Sequence, residues 1–240
     1  MKSVYVMWQD MADTRMWHPV AKLTQQSEND YLFNYTKGAT HKSFSCFPNM
    51  EDRNKVYRSE TLFTFFKNRL IPESRPEHDS LFEWTGLSAN SKDYIQLLAI
   101  SGGEKKTDHF RIVNIPQNEN GFYKTKFFVS GVNHLTDREK IHTESLKDGD
   151  RLDFEFEFDN PFDDKATLLF KDINKKVGYL PHYLCNDLRK LLDLSDKCEI
   201  SINILKVNTT APAQYRILCE LKAPWKNDFR SFDDDEFKDM

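Results

Sequence analysis

The stretch Arg151-Leu152-Asp153-Phe154-Glu155-Phe156-Glu157-Phe158 alternates without a break. In an extended chain, successive side chains point to opposite faces. Leu152, Phe154, Phe156 and Phe158 therefore share one face, and Asp153, Glu155 and Glu157 share the other. That is the pattern of an antiparallel strand with one buried and one wet side. The neighbours agree with it. Residues 167–170 and 177–180 read as further strands, rich in Leu, Val and aromatics. Pro181 then opens a helix that carries Leu184, Leu188, Leu191 and Leu192 on one stripe, at i, i+4, i+7 and i+8. Residues 199–207 and 215–221 read as two more strands, and Phe127-Phe128-Val129 leads in from upstream. Short strands with one inserted helix predict a small β-barrel over residues 126–223.

Upstream the period changes. Residues 4–8, 19–23 and 31–35 carry β signals, the last two joined by the polar stretch 25–30. Residues 59–70 place apolar groups at 62, 63, 65, 66 and 70, which predicts a helix capped by Ser59 and stopped by Pro72. Pro76 opens a second helix through Leu81, Phe82 and Trp84 that ends at Gly86. Residues 93–100 predict a third, broken by Gly102-Gly103, and residues 110–113 a closing strand. The polar stretch 114–125 holds Pro116 and Gly121 and contains the expected linker, placed at 116–125. The predicted organisation is an α+β domain over 1–115, that linker, the barrel over 126–223 and an acidic tail over 224–240.

Composition narrows the function. With 39% hydrophobic and 30% charged residues the chain is globular, and 19 Phe are ample for a core. It contains no apolar run of about 18 residues, the length that spans a bilayer. Residues 1–13 lack the apolar stretch and small-residue cleavage site of a secretory signal, so a cytoplasmic protein is expected. The net charge is −4, which argues against sequence-blind binding to long nucleic acid while leaving room for a local pocket. Residues 225–240 carry 3 Lys/Arg against 6 Asp/Glu. That tail is expected to be solvated, or else to mimic nucleic acid with Phe232 and Phe237. None of the four cysteines, Cys46, Cys185, Cys198 and Cys219, sits in a C-x-x-C pair. They are expected to be reduced, mostly buried and free of metal. The sequence holds no phosphate-binding loop, no H-E-x-x-H pair and no G-x-S-x-G elbow, and no catalytic residue or cofactor is expected. Asp153, Glu155 and Glu157 share a strand face and could converge on a cation as in a nuclease, but alternation makes a wet strand face the expected reading.

Two segments carry a resemblance. Asp159-Asn160-Pro161-Phe162-Asp163-Asp164-Lys165-Ala166, followed by Val177-Gly178-Tyr179-Leu180-Pro181, resembles the HIRAN domain, and Gly131-Val132-Asn133-His134 and the turn at Leu146, Gly149 and Asp150 fit it as well. The resemblance covers about residues 126–223. It implies an OB-like or SH3-like barrel that takes the 3′ end of single-stranded DNA. Phe162 would then stack on a base. Asp163 would accept a hydrogen bond from a terminal 3′-hydroxyl. Asn160 would shape the turn, while Asn133, His134, Tyr179 and His182 would line the mouth. Asn133, His134 and His182 depart from the family's basic, aromatic and lysine residues, which weakens phosphate attraction. Lys165, Lys175 and Lys176 are the candidates to compensate. Without the resemblance, Asn160, Pro161 and Asp163 make an ordinary turn and Phe162 plugs a barrel.

The first half resembles the N-terminal subdomain of HipA-type toxin kinases. Residues 4–8, 20–24 and 31–35 carry it, together with Phe65-Phe66-Lys67-Asn68-Arg69-Leu70-Ile71-Pro72-Glu73 and the run 97–103. Arg69 stands where the family has Leu. That subdomain packs on the kinase body and makes partner contacts, which points to Phe65, Phe66, Asn68 and Pro72 as partner-binding residues. The two functions expected are a non-enzymatic reader of a single-stranded DNA end with the first domain as adaptor, and an antitoxin-like regulator that docks on a HipA-type kinase. DNA repair, anti-phage defence and toxin control all remain open.

Overall fold

The computed structural model describes residues 1–240 except Ala89, Ser91, Pro161, Phe162, Ile173 and Asn174. The chain divides into two compact units. The first comprises Met1–Leu81, Ala89–Ile115 and Phe232–Met240, and the second Phe82–Ser88 and Pro116–Ser231.

The first unit is built on an antiparallel sheet. Its strands are β1 (Lys2–Gln9), β2 (Trp17–Ser27), β3 (Asp30–Tyr35), β4 (Tyr57–Ser59) and β5 (Phe110–Asn114), ordered β4-β3-β2-β1-β5. The predicted strands at 4–8, 19–23, 31–35 and 110–113 all lie in it. Helix α1 (Thr64–Lys67) is a single turn, whereas the apolar spacing predicted a helix over 59–70. Ser59 does not cap it, because Ser59 ends β4 opposite Tyr31 and its hydroxyl bonds the backbone of Thr61. The tertiary pairing wins over local periodicity. Helix α2 (Glu77–Thr85) ends at Gly86 as expected. Helix α3 (Tyr94–Ser101) is capped by the Asp93 carboxylate and closed by Gly102 in the left-handed region. The core gathers Phe33, Tyr35, Phe44, Phe47 and Phe66. The buried Tyr35 hydroxyl is satisfied: it donates to Met50 O at 2.7 Å and accepts from Phe47 N at 2.8 Å.

The acidic tail differs from the expected solvated end. Phe232 is buried, its ring stacks on Phe237, and both rings pack edge-on against Tyr5. Asp239 bridges Thr36, Met240 N donates to Tyr35 O, and Lys37 pairs with Asp235. The charged positions face water while the two Phe do the docking, so the tail is a clasp on the first sheet.

The second unit is a curled antiparallel sheet, a half-barrel. Its strands are β6 (Asn118–Glu119), β7 (Phe122–Phe128), β8 (Arg151–Phe156), β9 (Thr167–Phe170), β10 (Lys176–Tyr179), β11 (Ser201–Val207) and β12 (Ile217–Pro224), ordered β10-β9-β8-β11-β12-β7-β6. Stretch 116–125, expected as a linker, instead forms the β6–β7 hairpin, whose turn Gly121 closes at φ +84°. Helix α4 (Asp137–Thr143) was not predicted, and a Thr136–Glu139 capping box starts it. Helix α5 (His182–Leu194) follows Pro181 as expected and buries Leu184, Leu188 and Leu191. Asp187 on α5 is also buried and accepts from Tyr123 Oη at 3.2 Å, which ties the helix to β7.

Along β8, Leu152 and Phe154 are buried and Asp153 and Glu155 exposed, as the alternation predicts. The strand ends at Phe156, and Phe158 is 72% exposed instead of continuing the buried face. Cys185 and Cys219 are buried, Cys46 is half-buried, and Cys198 is exposed. Burial pushes the Cys185 thiol up to about 11. No helix is long and apolar enough to cross a membrane among the described residues.

Candidate nucleic-acid interface

The two ends of the curled sheet approach each other at one corner. Ser130, just past β7, forms an antiparallel bridge with Tyr179 at the end of β10, with bonds of 2.8 and 2.9 Å. Gly178 makes the approach possible. It sits at φ +147°, and a Cβ there would lie 2.5 Å from Val129 Cγ1 and 2.6 Å from Ser130 O. A bulge between Lys176 and Gly178 in the β10–β9 register accompanies it. Gly131, at φ +76°, then lets the chain turn into the 3-10 helix Val132–His134.

Opposite this corner lies the turn after β8. Glu157 N donates to Ala166 O at 3.0 Å and Asn160 N to Glu157 O at 3.3 Å, which closes the loop at its base. Asn160 Oδ1 accepts from Asp163 N at 3.2 Å, and Asn160 Nδ2 donates to Glu157 Oε2 at 2.8 Å. Asn160 thus holds both ends of the turn, the work its side chain does in Asx-type turns.

From there a polar network runs across the corner. Tyr179 Oη donates to Glu157 Oε2 at 3.0 Å and accepts from Lys176 Nζ at 2.9 Å. The same ammonium lies 4.4 Å from the centre of the Tyr179 ring. Asp163 Oδ1 accepts from Lys165 N at 2.9 Å, and Asp163 Oδ2 lies 2.8 Å from His182 Nδ1 at the start of α5. A carboxylate only accepts, so the imidazole proton sits on Nδ1. The Asp163 and His182 side chains remain 27% and 33% exposed, so the pair opens to solvent.

Four of the residues predicted from sequence, Asn160, Asp163, Tyr179 and His182, thus fall in one connected network. Phe162 lies outside the described residues. Asn133 and His134 are exposed on the turn beside Tyr179 and take no part in the network. Glu157 is a member that the sequence did not mark, and Lys176, expected as a candidate to compensate for the weakened phosphate attraction, joins through Tyr179. Glu157 read as one of a row of wet strand carboxylates, and only its three-residue spacing to Asn160 hinted at the turn. Asp153 and Glu155 stay exposed on the strand, and no group of three potential metal ligands occurs among the described residues.

The first unit's predicted partner residues separate by burial. Asn68 and Pro72 are exposed and Phe65 is half-buried. Phe66 is fully buried in the core and so cannot face a partner. Arg69, the departure from the expected Leu, is also buried. It donates to Gly103 O at 2.9 Å, pairs with Asp108 at 2.6 Å, and lies 4.1 Å from the centre of the Phe65 ring.

The molecule thus joins a mixed α/β unit to a β half-barrel with a polar corner. The HIRAN domain matches residues 122–226, and the HipA N-terminal domain matches residues 14–105. The chain carries both domains. No curated protein and no solved structure matches it.

Proposed function

We propose that this chain is a non-enzymatic DNA-binding protein in which the half-barrel, of the OB/SH3-like kind, reads the 3′ end of a single strand. The first unit acts as an interaction adaptor. The observation that carries this reading is the state of Asp163. Its carboxylate is fixed by His182 and by the Lys165 amide, it stays partly open, and among the described residues only two of its roughly four acceptor positions are used. An acceptor held rigidly in this way suits a terminal hydroxyl. A terminal phosphate would bring negative charge against Asp163 and Glu157. Phe162 supplies the stacking face for the last base, and Asn133, His134 and Tyr179 line the mouth.

Fluorescence anisotropy with single-stranded oligonucleotides ending in a 3′-hydroxyl or a 3′-phosphate tests the reading. Tight binding to the hydroxyl form alone is expected, and Asp163→Ala should weaken it at least tenfold. Equal affinity for both ends, or an unaffected Asp163→Ala variant, overturns end-reading.

The match to the HipA N-terminal domain favours a second reading, in which the first unit docks on a HipA-type kinase through the surface holding Phe65, Asn68 and Pro72. Co-purification with such a kinase, lost on combined Asn68→Ala and Pro72→Ala, is the expected result. A complex that survives these changes removes the surface from consideration.

A further inference from the structure

Arg189 lies on α5 seven residues beyond His182, the same face two turns along and about 10 Å further by helix rise. Cys185 lies between them on that face, within electrostatic reach of both Asp163 and Arg189. The Arg189 guanidinium rests 4.3 Å from the centre of the Phe156 ring and 5.3 Å from that of Phe158. Its Nε and Nη2 are buried, and neither finds a hydrogen-bond acceptor among the described residues. Buried donors of a charged group are costly to leave unused. The neighbouring cations show the contrast. Lys176 donates to Tyr179, and Lys197, which also rests over a β8 ring, donates to Phe154 O at 3.0 Å.

The aromatic strip along β8 ends in the open here. Phe154 is buried, Phe156 is half-buried, and Phe158 is 72% exposed, with the Phe156 and Phe158 centroids 6.0 Å apart. An exposed ring beside a guanidinium with two unused donors offers a stacking surface and, once the long Arg189 side chain turns outward, a bidentate donor to one ligand.

We infer that Arg189 and Phe158 form a second subsite for single-stranded nucleic acid, with Arg189 holding a backbone phosphate upstream of the terminal nucleotide and Phe158 stacking on a base. This rests on the end-reading function of the corner formed by Asp163 and His182. It supplies the cation that Asn133 and His182 do not, and it explains how a chain of net charge −4 can hold a polyanion at one place.

The test uses the full chain and 3′-hydroxyl oligonucleotides, with affinity measured across a salt series for the wild type, Arg189→Gln, Arg189→Lys and Phe158→Ala. Thermal unfolding of each variant confirms that it is folded. Arg189→Gln should flatten the slope of log affinity against log salt by about 0.7, the value of one single-strand phosphate. Arg189→Lys should retain that slope. Phe158→Ala, at an exposed position, should weaken binding roughly tenfold, the scale of one stacked base. Wild-type binding with unchanged slope and affinity in Arg189→Gln and Phe158→Ala overturns the subsite and leaves end-reading intact. Absence of wild-type binding at low salt overturns both.

Discussion

Gly178 has the least freedom of any residue at the corner. At φ +147° an L side chain is strained whatever the space, and here the space is also taken by Val129 and Ser130. Gly178→Ala should cost about 2 kcal/mol or more and break the Ser130–Tyr179 bridge. Urea denaturation followed through the second unit, with amide exchange at Ser130, checks this; an unchanged midpoint would show that the strands can move apart freely. At this scale the sequence was legible wherever a residue type has few uses. Asn160 and Asp163 announced a turn with polar side chains, whereas the close approach at Gly178 lay hidden in what read as a plain strand. Arg189 was not legible, because on a helical wheel it is one more polar position beside a leucine stripe. Only the rings contributed by β8 single it out. Arg69 was noticed as a departure from a pattern, but its pairing with Asp108 is contact between distant stretches of chain that no local reading supplies.

Short elements in the second unit depend on charged side chains that hold backbone groups. In α4, Thr136 and Glu139 bond reciprocally, and those bonds from Thr136 hold the Glu139 carboxyl below its ordinary 4.5. Before β8, Asp150 pairs with Lys171 and accepts from Lys147 N, which keeps its carboxyl below 3.8. Burial lowers His142, on α4, below 6.5. In all three the folded value lies below the unfolded one. Their stabilisation is therefore fully present above pH 6.5 and is lost as pH falls, first through the depressed His142 value and then through those of Glu139 and Asp150. Urea midpoints should decline steadily from pH 7 to pH 3, and a flat profile would contradict these linkages. Thr136→Ala should cost about 1 kcal/mol at neutral pH. Element types were legible where the period was long and uncontested, as in β8 and α5. They failed where tertiary pairing decided: the predicted helix 59–70 shrank to one turn once Ser59 joined β4, and the supposed linker paired as β6 and β7. The capping box of α4 was present in the letters Thr136 and Glu139, but too little apolar pattern followed to mark a helix.

Across the whole molecule, charge proved a poor guide to the tail. Its acidic residues face solvent or pair with Lys37 and His18, while Phe232 and Phe237 anchor it against Tyr5. Phe232→Ala should lower the stability of the first unit by about 3 kcal/mol and expose amides near Tyr35 and Thr36 to exchange. Unaltered exchange there would mean the anchor carries little. The two-domain plan was legible, but the ownership of segments was not. Phe82–Ser88 belongs to the second unit, where Trp84 stacks on Tyr215, Asn208 donates to Trp84 O at 3.0 Å and Lys206 reaches Glu83. The closing residues belong to the first. A fragment cut at 122–226 would keep the motifs that resemble the HIRAN domain and lose the strip whose Trp84 stacks on Tyr215. A cut at any single border therefore leaves at least one of the two units incomplete, because their segments are interlaced along the chain and not strung like beads.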